Sequence, residues 1–497
     1  MHVAAHLTAA PAREASTSAS ASPAQHRAPY LEALAAHGQR KPGRMHVPGH
    51  GGGSGADPAL LALLGDAPFR VDLPRDLSGV DAGPSPTPYD QAEELAAAAH
   101  GAGRTWFLTN GATQGNHAIC LALAGDGARV LVQRNCHGSV VDGLVLSGAE
   151  PAYALPEYDA RLGIAGPVTP ATLRAALAED RRIAVVVLVS PTYYGEVADV
   201  AACAQVAHEA GAVLVVDGAW GPHFGFHPAL PQCPLRLGAD VLLTSTHKHA
   251  GSLTQSAMLH VAPGREAIQA RLERSVRMLR STSPSSLLLA SLDASRRQLA
   301  LRGGRVLGDA IAVAARLRER LAALPGCAVR DAADPLRVAV DIRGTGAAAE
   351  ALAEALRDGH DVHPELVTPT CLLFVVPLGL TPDGADDVAD ALAAAIAETA
   401  SVTDRLYPVV GAPALPAVAI SPRAAFLGAT EVVPRTAAVG RICAEAISAY
   451  PPGIPLLLPG ERIAAVDVDA LLAMRAAGAR LHGAADPQLS TLTVVAE

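Results

Sequence analysis

The sequence predicts an α/β chain whose larger part is built on a mostly parallel sheet, and two observations carry that expectation. Between residues 105 and 261, short apolar runs alternate with helical stretches. That is the rhythm of βαβ units, in which a crossover returns the chain to a parallel neighbour. At 497 residues the chain also exceeds what one hydrophobic core supports, so two or three domains are expected. Half of the residues are hydrophobic and 18% are charged, in keeping with a large interior.

Taken in order, residues 1–29 are rich in Ala, Ser and Pro and are expected to form a disordered tail. They lack the continuous apolar stretch of a signal peptide. Residues 30–75 read as an arm, with a short helix at 30–37 and the Gly/Pro-rich stretch Met45-His46-Val47-Pro48-Gly49-His50 followed by three glycines. A large domain is expected over 76–324. It opens with a helix at 91–99, closed by Gly101 and Gly103. Strands are predicted at 105–108, 129–133, 183–189, 212–216, 241–244 and 256–261. Helices are predicted at 114–123, 169–178 and 200–210, the last capped by Asp199. Residues 264–301 read as helices interrupted at Pro284, and a separate helix at 307–324 leads out of the domain. A smaller α/β domain is expected over 325–410, with strands at 337–342 and 372–376 and helices at 347–357 and 383–400. The last segment, 411–497, carries a predicted helix at 437–449 and the run Tyr450-Pro451-Pro452-Gly453-Ile454-Pro455.

Several function classes are disfavoured. A net charge of -9 argues against nucleic acid as a partner. No apolar run reaches membrane-spanning length. The seven cysteines form no CxxC pair and their number is odd, which points to a reducing, cytoplasmic setting and to neither disulfides nor a zinc ribbon. His46 and His50 have the spacing of zinc ligands on a helix, but Pro48-Gly49 between them rules that helix out, so no metal is expected.

The most informative count is lysine. There are two, Lys41 and Lys248, and arginine carries almost all the positive charge. Arginine forms no stable imine with an aldehyde, whereas a partly desolvated lysine does. Lys248 follows a predicted strand in Leu243-Thr244-Ser245-Thr246-His247-Lys248-His249. One strand earlier, Asp217 ends Val213-Leu214-Val215-Val216. Ligands of open α/β sheets sit beyond the carboxyl ends of strands.

A third segment, Leu108-Thr109-Asn110-Gly111-Ala112-Thr113-Gln114, joins a strand to a helix. Its small residues and helix N-terminus suit a phosphate, although any βα turn can hold Asn-Gly and a threonine cap. His137, after the strand ending at Gln133, is a candidate plate for a ring. Lysine, carboxylate, phosphate cradle and plate together are what pyridoxal 5'-phosphate (PLP) requires.

Eight pieces in order make the chain resemble the ornithine/lysine/arginine decarboxylase family of fold-type-I PLP enzymes, in its short form without an N-terminal wing domain. They are His46-Val47-Pro48-Gly49-His50, Asn110-Gly111-Ala112-Thr113, Arg134-Asn135-Cys136-His137, Ser190-Pro191-Thr192-Tyr193-Tyr194-Gly195, Asp217-Gly218-Ala219-Trp220, Ser245-Thr246-His247-Lys248, Thr282-Ser283-Pro284-Ser285 and the run from Tyr450 to Pro455.

The resemblance implies a mostly parallel seven-stranded sheet plus a smaller C-terminal α/β domain. Position by position, it implies that Lys248 carries PLP as an imine, Asp217 contacts the pyridine nitrogen and His137 stacks on the ring. It also implies that Gly111, Ala112, Thr113 and Ser245 hold the phosphate, that His247 flanks the lysine, and that Ala219 and Trp220 line the rest. Thr282 and Ser283 would reach the phosphate of a neighbouring subunit, so a homodimer or higher homo-oligomer is expected. The implied reaction is decarboxylation of arginine, lysine or ornithine, arginine being favoured. A PLP-dependent aminotransferase or oxidase-type deaminase is the alternative. Three departures stand out: Gly51 and Gly138 replace lysines usual in the family, and Ala424 replaces a glutamate, which leaves the exact substrate open.

Overall fold

The computed structural model describes residues 22–40, 43–400, 417–450, 454–476 and 480–497. Lys41, most of the tail and Pro451, Pro452 and Gly453 of the 450–455 run lie outside these residues. Seven strands form the main sheet: β1 (Arg104–Leu108), β2 (Arg129–Gln133), β3 (Glu150–Ala154), β4 (Ile183–Val189), β5 (Val213–Asp217), β6 (Val241–Thr244) and β7 (Ala257–Val261). Their order is β1-β7-β6-β5-β4-β2-β3. Only β7 runs antiparallel to its neighbours, and the other pairings are parallel. The fold is therefore α/β with a mixed, mostly parallel seven-stranded sheet. Strands buried on both faces account for the uninterrupted apolar runs, such as Ile-Ala-Val-Val-Val-Leu-Val in β4.

Helices cover the sheet, among them α1 (Pro29–Gln39), α2 (Pro88–His100), α3 (Gly111–Leu123), α4 (Gly138–Ser147), α5 (Pro170–Glu179), α6 (Val200–Glu209), α7 (Glu266–Leu279) and α8 (Ser286–Ala322). One glycine sets the position of α3: a Cβ at Gly115 would fall 2.3 Å from Leu243 Cδ1 of β6. The helix therefore lies close on the sheet, bringing its N-terminus towards the end of β6.

The structure differs from expectation at five places. The predicted break between 301 and 307 is absent, because α8 runs unbroken for 37 residues, roughly 55 Å at 1.5 Å per residue. Gly303 in its middle makes a close approach to Phe226 and no kink. The predicted helix at 437–449 ends at Ala438; Gly440 takes φ 88°, and the chain goes on into a strand at Ile447–Tyr450. Strand β3 escaped notice because Pro151 interrupts its pattern, which an edge strand tolerates. Helix α4 escaped notice because it opens on glycine. The expected tail also gives way before its end: Pro23–His26 form a 3-10 turn with Gln25 buried.

The smaller domain holds β8 (Ala328–Arg330), β9 (Arg337–Asp341), β10 (Leu366–Val367) and β11 (Cys371–Val375), in the order β8-β9-β11-β10 with every pairing antiparallel. Val338 and Val340 face the core shared with α8, α9 (Ala349–His360) and α10 (Pro382–Thr399). Ala339 packs with Tyr194 of the large domain. The period-two alternation then puts Arg337 on that same face, towards the large domain.

Candidate active site

Three loops meet at the carboxyl ends of the parallel strands, as open α/β sheets require for a ligand site. Asp217 is the last residue of β5 and is buried. Its Oδ2 accepts from Asn116 Nδ2 at 3.0 Å and its Oδ1 from the Ala219 amide at 3.1 Å. Asn116 also donates to Ser139 Oγ at 2.9 Å, and that hydroxyl lies 2.8 Å from His137 Nδ1. The Ser139 amide points at the same nitrogen, at 3.2 Å. Nδ1 is thus an acceptor, and the His137 proton sits on Nε2. A hydrogen-bonded chain runs Asp217–Asn116–Ser139–His137. Sequence reasoning missed Asn116 and Ser139, which stand two residues beyond the quoted segments ending at Gln114 and His137.

His137 is exposed to solvent, yet the atoms crowding it displace enough water to lower its pKa. Lys248 pushes the same way, while Asp217 and Asp142 oppose. As N-cap of α4 it also sits at the positive end of a helix dipole.

Lys248 lies on the short turn Thr246–His249 that follows β6. Its Nζ stands 3.6 Å from the ring centroid of Trp220 and 6.0 Å from that of Tyr193. Burial lowers the amine to about 8; Arg337 adds to this, and Asp217 and Glu365 oppose it. His247 donates from Nδ1 to the Ser256 carbonyl at 2.8 Å, leaving Nε2 as its basic nitrogen.

The expected phosphate residues lie at the end of β6 and at the start of α3. Ser245 is buried, and its amide donates to the Ala219 carbonyl, which ties the β6 loop to the β5 loop. Gly111 takes φ 68°, and its amide is occupied by the Gln255 carbonyl at 2.7 Å. The free donors of the first turn of α3 are therefore the amides of Ala112 and Thr113, which have no preceding intrahelical acceptor.

The family model described as "Orn/Lys/Arg decarboxylase, major domain" matches residues 28–341, and the one described as "Orn/Lys/Arg decarboxylase, C-terminal domain" matches residues 406–486. The chain belongs to the Orn/Lys/Arg decarboxylase family. The arginine decarboxylase of Halalkalibacterium halodurans is 33% identical over 95% of this chain and 98% of its own length. Lysine decarboxylase A from Pseudomonas aeruginosa shares the fold, with a TM-score of 0.82 at 22% identity over 95% of this chain and 81% of that one. A serine palmitoyltransferase solved with PLP is more distant, with a TM-score of 0.53 and 19% identity over 68% of this chain and 83% of that one.

Within this Orn/Lys/Arg decarboxylase chain, two expected residues stand apart. Thr282 and Ser283 are exposed between α7 and α8, and among the described residues no hydrogen bond joins them to the rest of the site. They do not cap α8 either, since Ser285 does. Two long-range partners had no signal in the sequence. Arg134, the first residue of the loop between β2 and α4, pairs with Glu461 of the C-terminal segment at 2.9 Å, both buried. Arg337 of β9 sits 3.7 Å over the Trp220 ring. His50, once a candidate ligand, faces Asp72 at 3.2 Å.

Proposed function

We propose that the site binds PLP on Lys248 and decarboxylates a basic L-amino acid, with arginine as the preferred substrate. The observation that carries the reading is a lysine amine lowered to about 8 beside a buried strand-end carboxylate. The residues fit the cofactor. A desolvated amine suits imine formation. The two hydrogen bonds that Asp217 accepts come from neutral donors, so its charge stays available to a protonated ring nitrogen. The free amides of Ala112 and Thr113 and the Ser245 hydroxyl suit a phosphate. When bound, PLP supplies an electron sink for the pair left on the α-carbon as CO2 departs.

The chain's own groups do the rest. Lys248 releases the amino acid nitrogen site and takes part in returning a proton. His247, with Nε2 unprotonated, is the second group placed to hold that proton. His137, Ala219 and Trp220 shape the walls. The near full-length arginine decarboxylase relative supports the choice of arginine.

Mass spectrometry of products from arginine, lysine and ornithine tests this: agmatine and CO2 from arginine are expected. A keto acid would replace the reading with a transaminase or deaminase.

The active unit in this reading is a homodimer with Thr282 and Ser283 completing the phosphate site in trans, supported by their exposure and by their absence from the α8 cap. Mixing inactive Lys248→Ala chains with an inactive Thr282/Ser283 double variant should restore activity. No recovery, despite subunit exchange, would assign the segment to its own chain. A cytoplasmic setting completes the proposal, supported by seven unpaired cysteines.

A further inference from the structure

Trp220 carries a cation on each face. Lys248 Nζ and the Arg337 guanidinium carbon lie 3.6 and 3.7 Å from its ring centroid. At such separations each atom stands almost directly over the ring, and two cations over one face would collide, so they occupy opposite faces. Arg337 therefore stays out of the space in which Lys248 reacts.

Its own surroundings are unusual. Arg337 is wholly buried, yet its Nε, Nη1 and Nη2 have no hydrogen-bond partner among the described residues. Its ion-pair partner, Asp334, stands 3.6 Å away, beyond hydrogen-bond distance. Buried charges are ordinarily paired and hydrogen-bonded.

The fold nevertheless builds this placement from both domains. Gly195, at φ 84°, leaves the room that the arginine stem fills: a Cβ there would fall 2.8 Å from Arg337 Cβ and Cγ. The Asp334 amide donates to the Gly195 carbonyl at 2.9 Å, and its carboxylate accepts from the Leu336 amide and faces His223 Nε2. The guanidinium is therefore fixed in place while its donors stay open.

We propose that Arg337 is a positioning residue for Lys248: across the shared Trp220 plate, its fixed charge disfavours the ammonium form and keeps the lysine ready as a nucleophile. This rests on the reading of Lys248 as the imine-forming lysine. The other groups around the amine are Asp217 from β5, Glu365 ahead of β10, His137 from the loop after β2, Tyr193 from the loop after β4, and His247 and His249 on its own turn. Burial and Arg337 favour the amine, whereas Asp217 and Glu365 favour the ammonium.

The test needs neither cofactor nor substrate, so its failure is separable from failure of the decarboxylase reading. In the full-length chain freed of cofactor, the two lysines compete for an amine-acylating reagent, and peptide mapping across neutral to alkaline pH titrates each. Lys41 serves as the internal reference. Arg337→Met should move the Lys248 profile up by about one pH unit, a tenfold change in the amine-to-ammonium ratio, and leave Lys41 unmoved. If that variant fails to fold because Asp334 is stranded, Arg337→Met with Asp334→Asn removes both charges and carries the same expectation. A Lys248 profile that does not move in a folded variant, even one with altered melting, would reduce Arg337 to packing and overturn the proposal.

Discussion

Arg296 and Arg337 are both wholly buried, and they are treated in opposite ways. Arg296, on α8, donates to the Gln25 carbonyl at 2.9 Å, to Gln25 Oε1 at 3.1 Å, to the Arg27 carbonyl at 2.6 Å and to Asp293. Asp293 in turn accepts from the Tyr30 amide at 3.0 Å. Every partner lies in the segment Gln25–Arg27 or on α8, so the charge is largely closed off and fastens the N-terminal segment to the long helix. Arg337 has its donors open and its face against the tryptophan that also meets Lys248. Both Nη atoms of Arg296 are hydrogen-bonded and only its Nε is not, whereas Arg337 leaves all three nitrogens without a partner among the described residues. A buried charge bonded at both Nη atoms is a staple, and one left open acts on its neighbours through its field. Arg134 is an intermediate case. It is paired with Glu461, but burial raises that carboxyl to about 7, against the pull of Arg134, so the pair is titratable near neutrality.

The division between open and closed charges can be broken at four places. Lys248→Ala should have the largest effect, a loss of turnover of about four orders of magnitude or more with little change in the denaturation midpoint. Activity within tenfold of the parent would show that the open charges serve no chemistry. Asp217→Asn comes next, at about a thousandfold in turnover, measured as CO2 release with saturating cofactor. Asparagine keeps an oxygen for the Ala219 amide, so the fold should survive.

At the closed end the pattern should invert. Arg296→Met should cost about 3 kcal/mol of stability in urea unfolding, because it strands Asp293 in the interior, while turnover per folded chain stays near that of the parent. A fall in turnover without destabilisation would erase the distinction.

The smallest effect belongs to Glu461→Gln. The carboxyl has its pKa raised from 4.5 to about 7 in the folded chain, so the folded state binds more protons between those values. That contribution is fully present below pH 4.5 and lost as pH rises through about 7. The parent should therefore lose about 2.5 kcal/mol relative to Glu461→Gln across this window, read from urea midpoints at several pH values. Parallel pH profiles would mean that the pair with Arg134 holds Glu461 ionised throughout.

How much was legible depends on distance along the chain. The helix–strand rhythm exposed six of the seven strands of the main sheet, because burial on both faces demands apolar runs that a short window reveals. Glu150–Ala154 went unseen because an edge strand is under no such demand. Lys248, His247 and Ser245 share one turn, and Asp217 ends the neighbouring strand, so local context was enough to single them out. Thr282 and Ser283 were equally visible as a motif, yet one protomer does not bring them to the other candidates.

By itself, then, the sequence determined the parallel-sheet class, the ends of strands at which chemistry gathers and the scarcity of lysine that marks Lys248. These follow from periodicity and composition, which any stretch of chain displays on its own. Only the tertiary structure decided which charges are closed and which are open. The Arg134–Glu461 pair joins residues 327 apart, and Arg296 reaches Gln25 across 271. Arg337 meets Trp220 only because an antiparallel sheet in the second domain turns that face inward. Such contacts have no local period, and whether a buried arginine is satisfied is a property of the packed interior, where each donor finds a partner or is left without one.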